Sequence, residues 1–122
     1  MASQRSADRI ASWIQKKVAT MMIRDLKDPR SGFLTVTRVV VSKDIENCTI
    51  YYSVLGDDKE RRNAARMLER ATPFVQREVA SGLKTRVAPK VLFKFDETID
   101  KSLELDQIFS RIAKERKDRE SL

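Results

Sequence analysis

The chain of 122 residues has no histidine, a single cysteine, few aromatic side chains and no long apolar run. Each shortage removes a class of chemistry. Without histidine there is no imidazole to act as base or ligand, and Cys48 alone can build neither an internal disulfide nor a Cys/His metal cluster. No Gly-x-Ser-x-Gly elbow occurs. The stretch Gly82-Leu83-Lys84-Thr85 is a poor phosphate loop, because Arg77 stands where its first glycine belongs and Leu83 separates Gly82 from Lys84. The acids Asp96, Glu97, Asp100, Glu104 and Asp106 could hold Mg²⁺, but loop acids and helix caps are the commoner explanation. No enzyme and no cofactor are expected. The longest strand-like run, Val39-Val40-Val41, falls far short of the roughly 20 apolar residues that span a bilayer. The first residues, Ala2-Ser3-Gln4-Arg5-Ser6, are polar with no apolar stretch behind them, so a soluble, cytoplasmic protein is expected.

What the chain does have is positive charge. Lysine and arginine number 25 against 18 aspartate and glutamate, giving +7, and the excess is uneven. Residues 1–95 carry 19 basic and 10 acidic groups, residues 96–122 carry 6 and 8. A cationic body with a slightly acidic tail attracts polyanions through its long-range field and through counterion release. The length fits one domain over 1–122, with a core in 6–112 and a charged tail, 113–122, that is expected to fray.

Periodicity orders the chain as α-β-β-α-α-β, with a closing helix. Ile10, Ile14, Val18, Met21 and Leu26 recur at helical spacing over 6–27, widened by Trp13 and Met22. Pro29 ends that helix at Asp28-Pro29-Arg30, placing Arg30 at an exposed corner, and Gly32 turns the chain into a strand over 33–41. A polar turn, Ser42-Lys43-Asp44 and onward, joins it to a second strand over 48–55. There Cys48, Ile50, Tyr52 and Val54 alternate with Thr49, Tyr51 and Ser53, so one face is buried and the other at least partly wet. Cys48 reads as a small buried apolar group. Asp57 and Asp58 offer an N-cap for a helix reaching about residue 70. Ala71-Thr72-Pro73 then breaks the helix and restarts it, with Thr72 as the new cap, until about Thr85. Phe74, Val75, Val79 and Leu83 are its expected core side. A last strand after Pro89 points Val91, Phe93 and Phe95 one way, and a closing helix from Asp106 packs Ile108, Phe109 and Ile112. All the phenylalanines, Phe33 included, sit in core-like patterns.

The binding signal lies in spacing. Arg62, Arg66 and Arg70 recur every four residues and stack on one helical face, continued by Arg77, Lys84 and Arg86. Like charges so spaced cost a few tenths of a kcal/mol per pair, which Asp58 and Glu69 relieve only in part. Lys16, Arg24 and Lys27 share a side of the first helix, Arg30 holds its corner, and Lys43 holds the hairpin turn. A solvated basic face is the plain alternative for any one of these residues, and for Arg30 an ion pair with Asp25 or Asp28. With aromatics assigned to the core, phosphate and shape contacts to RNA are expected rather than base stacking.

Leu26-Lys27-Asp28-Pro29-Arg30, Thr35-Val36-Thr37, Val41-Ser42-Lys43-Asp44, Thr49-Ile50-Tyr51-Tyr52-Ser53-Val54-Leu55-Gly56, the break at Ala71, and Arg86-Val87-Ala88-Pro89 leading to Phe93 and Asp96 together resemble the ribosome-binding factor A family over about residues 6–112. The resemblance implies an α+β, KH-like fold of the type II bacterial topology. It also implies binding to the free small (30S) ribosomal subunit and its 16S rRNA, in late maturation and rRNA processing, notably in the cold. A monomer acting with an assembly GTPase is implied as well. Two departures stand out: the family's Ala-x-Gly break is Ala71-Thr72-Pro73 here, which should make a stiffer kink, and Lys90 replaces a frequent acid. Neither the sequence nor the family has the Gly-x-x-Gly loop of typical KH domains. Two other readings stay open: a DNA-binding or nucleoid-associated domain, and a protein-interaction module using the sheet's outer face.

Overall fold

The computed structural model describes residues 4–26, 28–83, 87–98 and 111–114. Helix α1 (Gln4–Arg24) buries Ala7, Ala11, Ile14, Val18, Met21 and Met22 along one stripe. It stops a turn before the proline, where the N–H groups of Asp25 and Leu26 both donate to the Met21 carbonyl at 2.7 and 2.9 Å. A short 3-10 turn, Pro29–Ser31, follows, capped by Asp28, whose carboxylate accepts the Arg30 N–H at 2.9 Å. Gly32 then sits at φ 64, ψ −155, a region that essentially only glycine enters, and a Cβ there would lie 2.9 Å from the Leu55 carbonyl oxygen.

Strands β1 (Phe33–Val41) and β2 (Asn47–Leu55) form an antiparallel hairpin, and β3 (Lys90–Phe95) lies parallel to β2 on its other edge. At the hairpin turn the Asp44 carboxylate accepts from the Ser42 hydroxyl and the Glu46 N–H, and Ile45 takes a φ of 61. Val39, Val41, Cys48, Ile50, Tyr52, Val54 and Val91 face the helices. Burial pushes the Cys48 thiol up to about 12, so it stays protonated and inert. A bulge between Val36 and Arg38 resets the alternation of β1. The freed Thr37 donates its hydroxyl to Asp96 at 2.6 Å. That bond, with the Thr98 N–H and the nearby Arg38 charge, holds the buried Asp96 carboxyl below the usual carboxylate range.

Helix α2 (Asp58–Gly82) begins on a reciprocal capping box between Asp57 and Glu60, with bonds of 2.8 and 3.1 Å. It corrects the expected break at Ala71-Thr72-Pro73: one helix runs through, and the order among the described residues is α-β-β-α-β. Ala64, Leu68, Val75 and Val79 keep one phase against the sheet across the proline, so burial favours continuity. Pro73 itself is exposed, where water can serve the carbonyl it leaves without a donor. Thr72 is no cap; its hydroxyl donates backward to the Leu68 carbonyl at 2.8 Å. Gln76 pins the start of β3, donating to the Pro89 carbonyl and accepting the Val91 N–H at 2.8 and 2.7 Å.

The two helices cover one face of the sheet and meet where Trp13 lies on Gly82 and where Lys17 pairs with Glu78 at 3.6 Å. Phe33 is a second correction: it is 70% exposed, because its place in the register puts it on the uncovered face opposite Leu55. Ile112 lies in a helical, exposed stretch, 111–114, and is 44% exposed; the rest of the expected closing helix, with Ile108 and Phe109, is outside the described residues. No helix among the described residues is long and apolar enough to cross a membrane.

A Cβ on Gly82 would stand 2.5 Å from the Trp13 ring. Gly82→Ala should therefore lower the melting temperature by overpacking, ~1–3 kcal/mol, although helix propensity alone favours alanine by about 1 kcal/mol. Asp96→Asn should destabilise at neutral pH. Because the native carboxyl is held low, its contribution is present above about pH 4 and lost as pH falls further. Urea titrations of the two proteins should thus converge in acid.

Candidate nucleic-acid interface

The outward side of α2 is the most strongly organised charged surface. At about 100° per residue, Arg62, Arg66, Arg70 and Arg77 fall within an arc of about 80°, opposite Ala64, Leu68, Val75 and Val79. All four are exposed, and among the described residues no carboxylate lies within ion-pair distance of any of them. Asp58 and Glu69 do not neutralise them. Lys59, three residues before Arg62, shares the arc, and its spacing from Arg62 is the signal in the sequence that marks it as a further member.

Arg30 reaches the same surface from a different element. The Asn63 side-chain amide donates to the Arg30 carbonyl at 3.0 Å and fastens the 3-10 turn to α2. Arg30 and Arg70 then border a cleft of about 610 Å³ with Asp25, Asp28, Met67 and Ala71. The ion-pair alternative for Arg30 is realised with Asp28: Nε and Nη2 donate to the two carboxylate oxygens at 3.2 and 3.3 Å. These bonds, the Arg30 N–H and the charge of Arg70 hold the Asp28 carboxyl below its ordinary range. Arg30 remains 77% exposed at its side chain, so the pair orients the guanidinium without covering it.

The remaining candidates are less convergent. Lys16 lies on α1 opposite its buried stripe and is free to face solvent on the helical layer. Arg24 is exposed but paired with Asp25 at 3.6 Å. Lys43 is exposed at the hairpin turn, a strand length of roughly 30 Å from the corner that holds Arg30, and does not join it. Lys27, Lys84 and Arg86 are outside the described residues. The structure thus gathers Arg62, Arg66, Arg70, Arg77 and Arg30, and adds Lys59.

A mixed three-stranded sheet with helices on one face, basic on their outward side, defines the KH-like α+β class. The model of the family described as ribosome-binding factor A matches residues 6–109, and the chain belongs to that family. It is similar to the ribosome-binding factor A of Geobacter metallireducens, 38% identical over 111 residues, covering 91% of this chain and 94% of that protein. The Geobacter sulfurreducens protein of the same name is 39% identical over 110 residues, covering 90% and 93%. Among solved structures, the Thermus thermophilus ribosome-binding factor A crystal structure aligns with a TM-score of 0.60 at 26% identity, over 72% of this chain and 93% of that one. A Thermus thermophilus coordinate set fitted into a cryo-EM map of a 30S complex of that factor aligns at 0.55 and 29% identity, over 68% and 87%. The family is not one of enzymes.

Asp28→Ala removes a cap and the group that orients Arg30. It should lower the urea midpoint, whereas Arg30→Gln, at an exposed site, should leave it nearly unchanged.

Proposed function

We propose that the protein is a ribosome assembly factor that docks on the free small ribosomal subunit and contacts its 16S rRNA through the outward face of α2 and the Arg30 corner. The arginine stripe, which has no ion-paired carboxylate among the described residues, carries this reading. Side chains that repel one another on a helix and find no carboxylate partner are stabilised when a polyanion supplies phosphates. A Thermus thermophilus relative has been fitted into a map of a 30S complex, which supports the subunit as the partner. The stripe offers cations at helical intervals on the convex outer side of a helix, an arrangement that suits the phosphates of folded rRNA. Lys16 on the outward side of α1 extends the contact.

In this reading the protein acts as a cytoplasmic monomer during late maturation and 16S rRNA processing, including growth in the cold, and departs with the help of an assembly GTPase. Pro73 lies within the arc of the arginines, and its ring makes that stretch of helix a stiff support rather than a glycine hinge.

Reversing Arg66, Arg70 and Arg77 together to Glu should abolish co-sedimentation with small subunits in a gradient while leaving the circular dichroism melt unchanged. Co-sedimentation that persists would place the contact elsewhere.

A further inference from the structure

Helices cover one face of the sheet; among the described residues nothing covers the other. Of the seven large hydrophobic side chains exposed among the described residues, four belong to it: Phe33, Val40, Leu55 and Leu92, between 47% and 76% exposed. The outward positions of the three strands include Arg38, Lys90 and Lys94 and no acid. At the centre of the face the register aligns Arg38, Tyr51 and Lys94 across β1, β2 and β3. The Arg38 guanidinium lies 3.9 Å above the Tyr51 ring, and its Nε is 3.5 Å from the buried Asp96 carboxylate. Arg38 is thus held over the aromatic ring and fixed at its Nε edge, with its side chain still 51% exposed.

We propose that this face binds single-stranded RNA, with a base stacked on the Arg38 guanidinium over Tyr51 and the phosphates running past Lys94 and Lys90. The chemistry favours that occupant over others. A planar cation already resting on an aromatic ring offers a preorganised stacking surface, and unpaired bases stack on arginine planes as they do on aromatic rings. Lys90 and Lys94, for which no carboxylate lies within ion-pair distance among the described residues, complement a phosphate chain beside the Asp96-paired Arg38. Val40 and Leu92, flanking Thr49, provide apolar contact for ribose and base edges, and Phe33 gives a second ring about 13 Å along the sheet. A duplex could not bring a base face onto this surface. The site lies on the opposite side of the sheet from the α2 arginines, so it stands apart from the docking reading above.

Fluorescence anisotropy with a labelled oligouridylate of about ten nucleotides tests it. The protein should bind this probe, and Tyr51→Leu should weaken binding roughly tenfold while Tyr51→Phe keeps it. Arg38→Lys, which preserves charge and loses the plane, should weaken it too. The variant with Arg66, Arg70 and Arg77 reversed should retain most of the affinity. Each variant is first shown to melt as wild type does; should Arg38→Lys fail, the Leu and Phe variants of Tyr51 decide alone. No binding by the wild type, equal binding by Tyr51→Leu, or loss confined to the reversed arginines would overturn the proposal. So would Tyr51→Leu abolishing association with small subunits when no oligonucleotide binds, which would assign the face to a protein.

Discussion

The structure depends on one helix being amphipathic in two senses at once. In α2, Ala64, Leu68, Val75 and Val79 commit one side to the sheet, and that commitment leaves Arg62, Arg66, Arg70 and Arg77 on the other. A helix broken at Pro73 would have let its halves choose separate orientations, and Arg77 would have lost its phase with the rest. Burial of the four apolar groups, at roughly 25 cal/mol per Å² removed from water, outweighs one backbone bond lost on the exposed side. The same packing that stabilises the fold therefore aims the charge.

Two local devices make the sheet compatible with that helix. Gly32 lets the chain pass from the 3-10 turn into β1 while pressed against the Leu55 carbonyl, which brings Arg30 back alongside α2. The bulge at Thr37 shifts the alternation of β1, so that Val39 and Val41 enter the core and Arg38 turns outward over Tyr51. Asp96 anchors the bulge from the end of β3 through Thr37 and Arg38. The outer face of the sheet is thereby organised rather than merely left over.

Much of this was legible in the residues. The bounds of β1, the alternation of β2, the Asp57 cap, the burial of Cys48 and the stripe of α1 all follow from periodicity and turn chemistry, because each is a local pattern that packing reinforced. The helix break failed because a local rule for proline was set against an unbroken apolar phase from Ala64 to Val79, and the phase prevailed. Phe33 was misplaced because an aromatic at a strand start looks like core until the register with Leu55 is known. The Arg38 stack on Tyr51 was hidden for the same reason: a bulge changes which side chains share a face, and a sequence does not announce it. The α2 arginines, by contrast, needed only the helical repeat, and what their spacing could not give was that no described carboxylate lies within ion-pair distance of them.

These features suit a small adaptor for a large polyanion: a rigid helical layer carrying charge, a corner fixed by Asp28 and Asn63, and a sheet face with different chemistry behind. On the proposed reading, the arginines of α2 replace condensed counterions on the small subunit. The most direct measurement is the salt dependence of small-subunit binding for the wild type and for single Arg66→Gln, Arg70→Gln and Arg77→Gln proteins. Log affinity should fall steeply and linearly with log salt, with a slope reduced by nearly one for each arginine removed. A shallow dependence, or slopes unchanged by the substitutions, would contradict it.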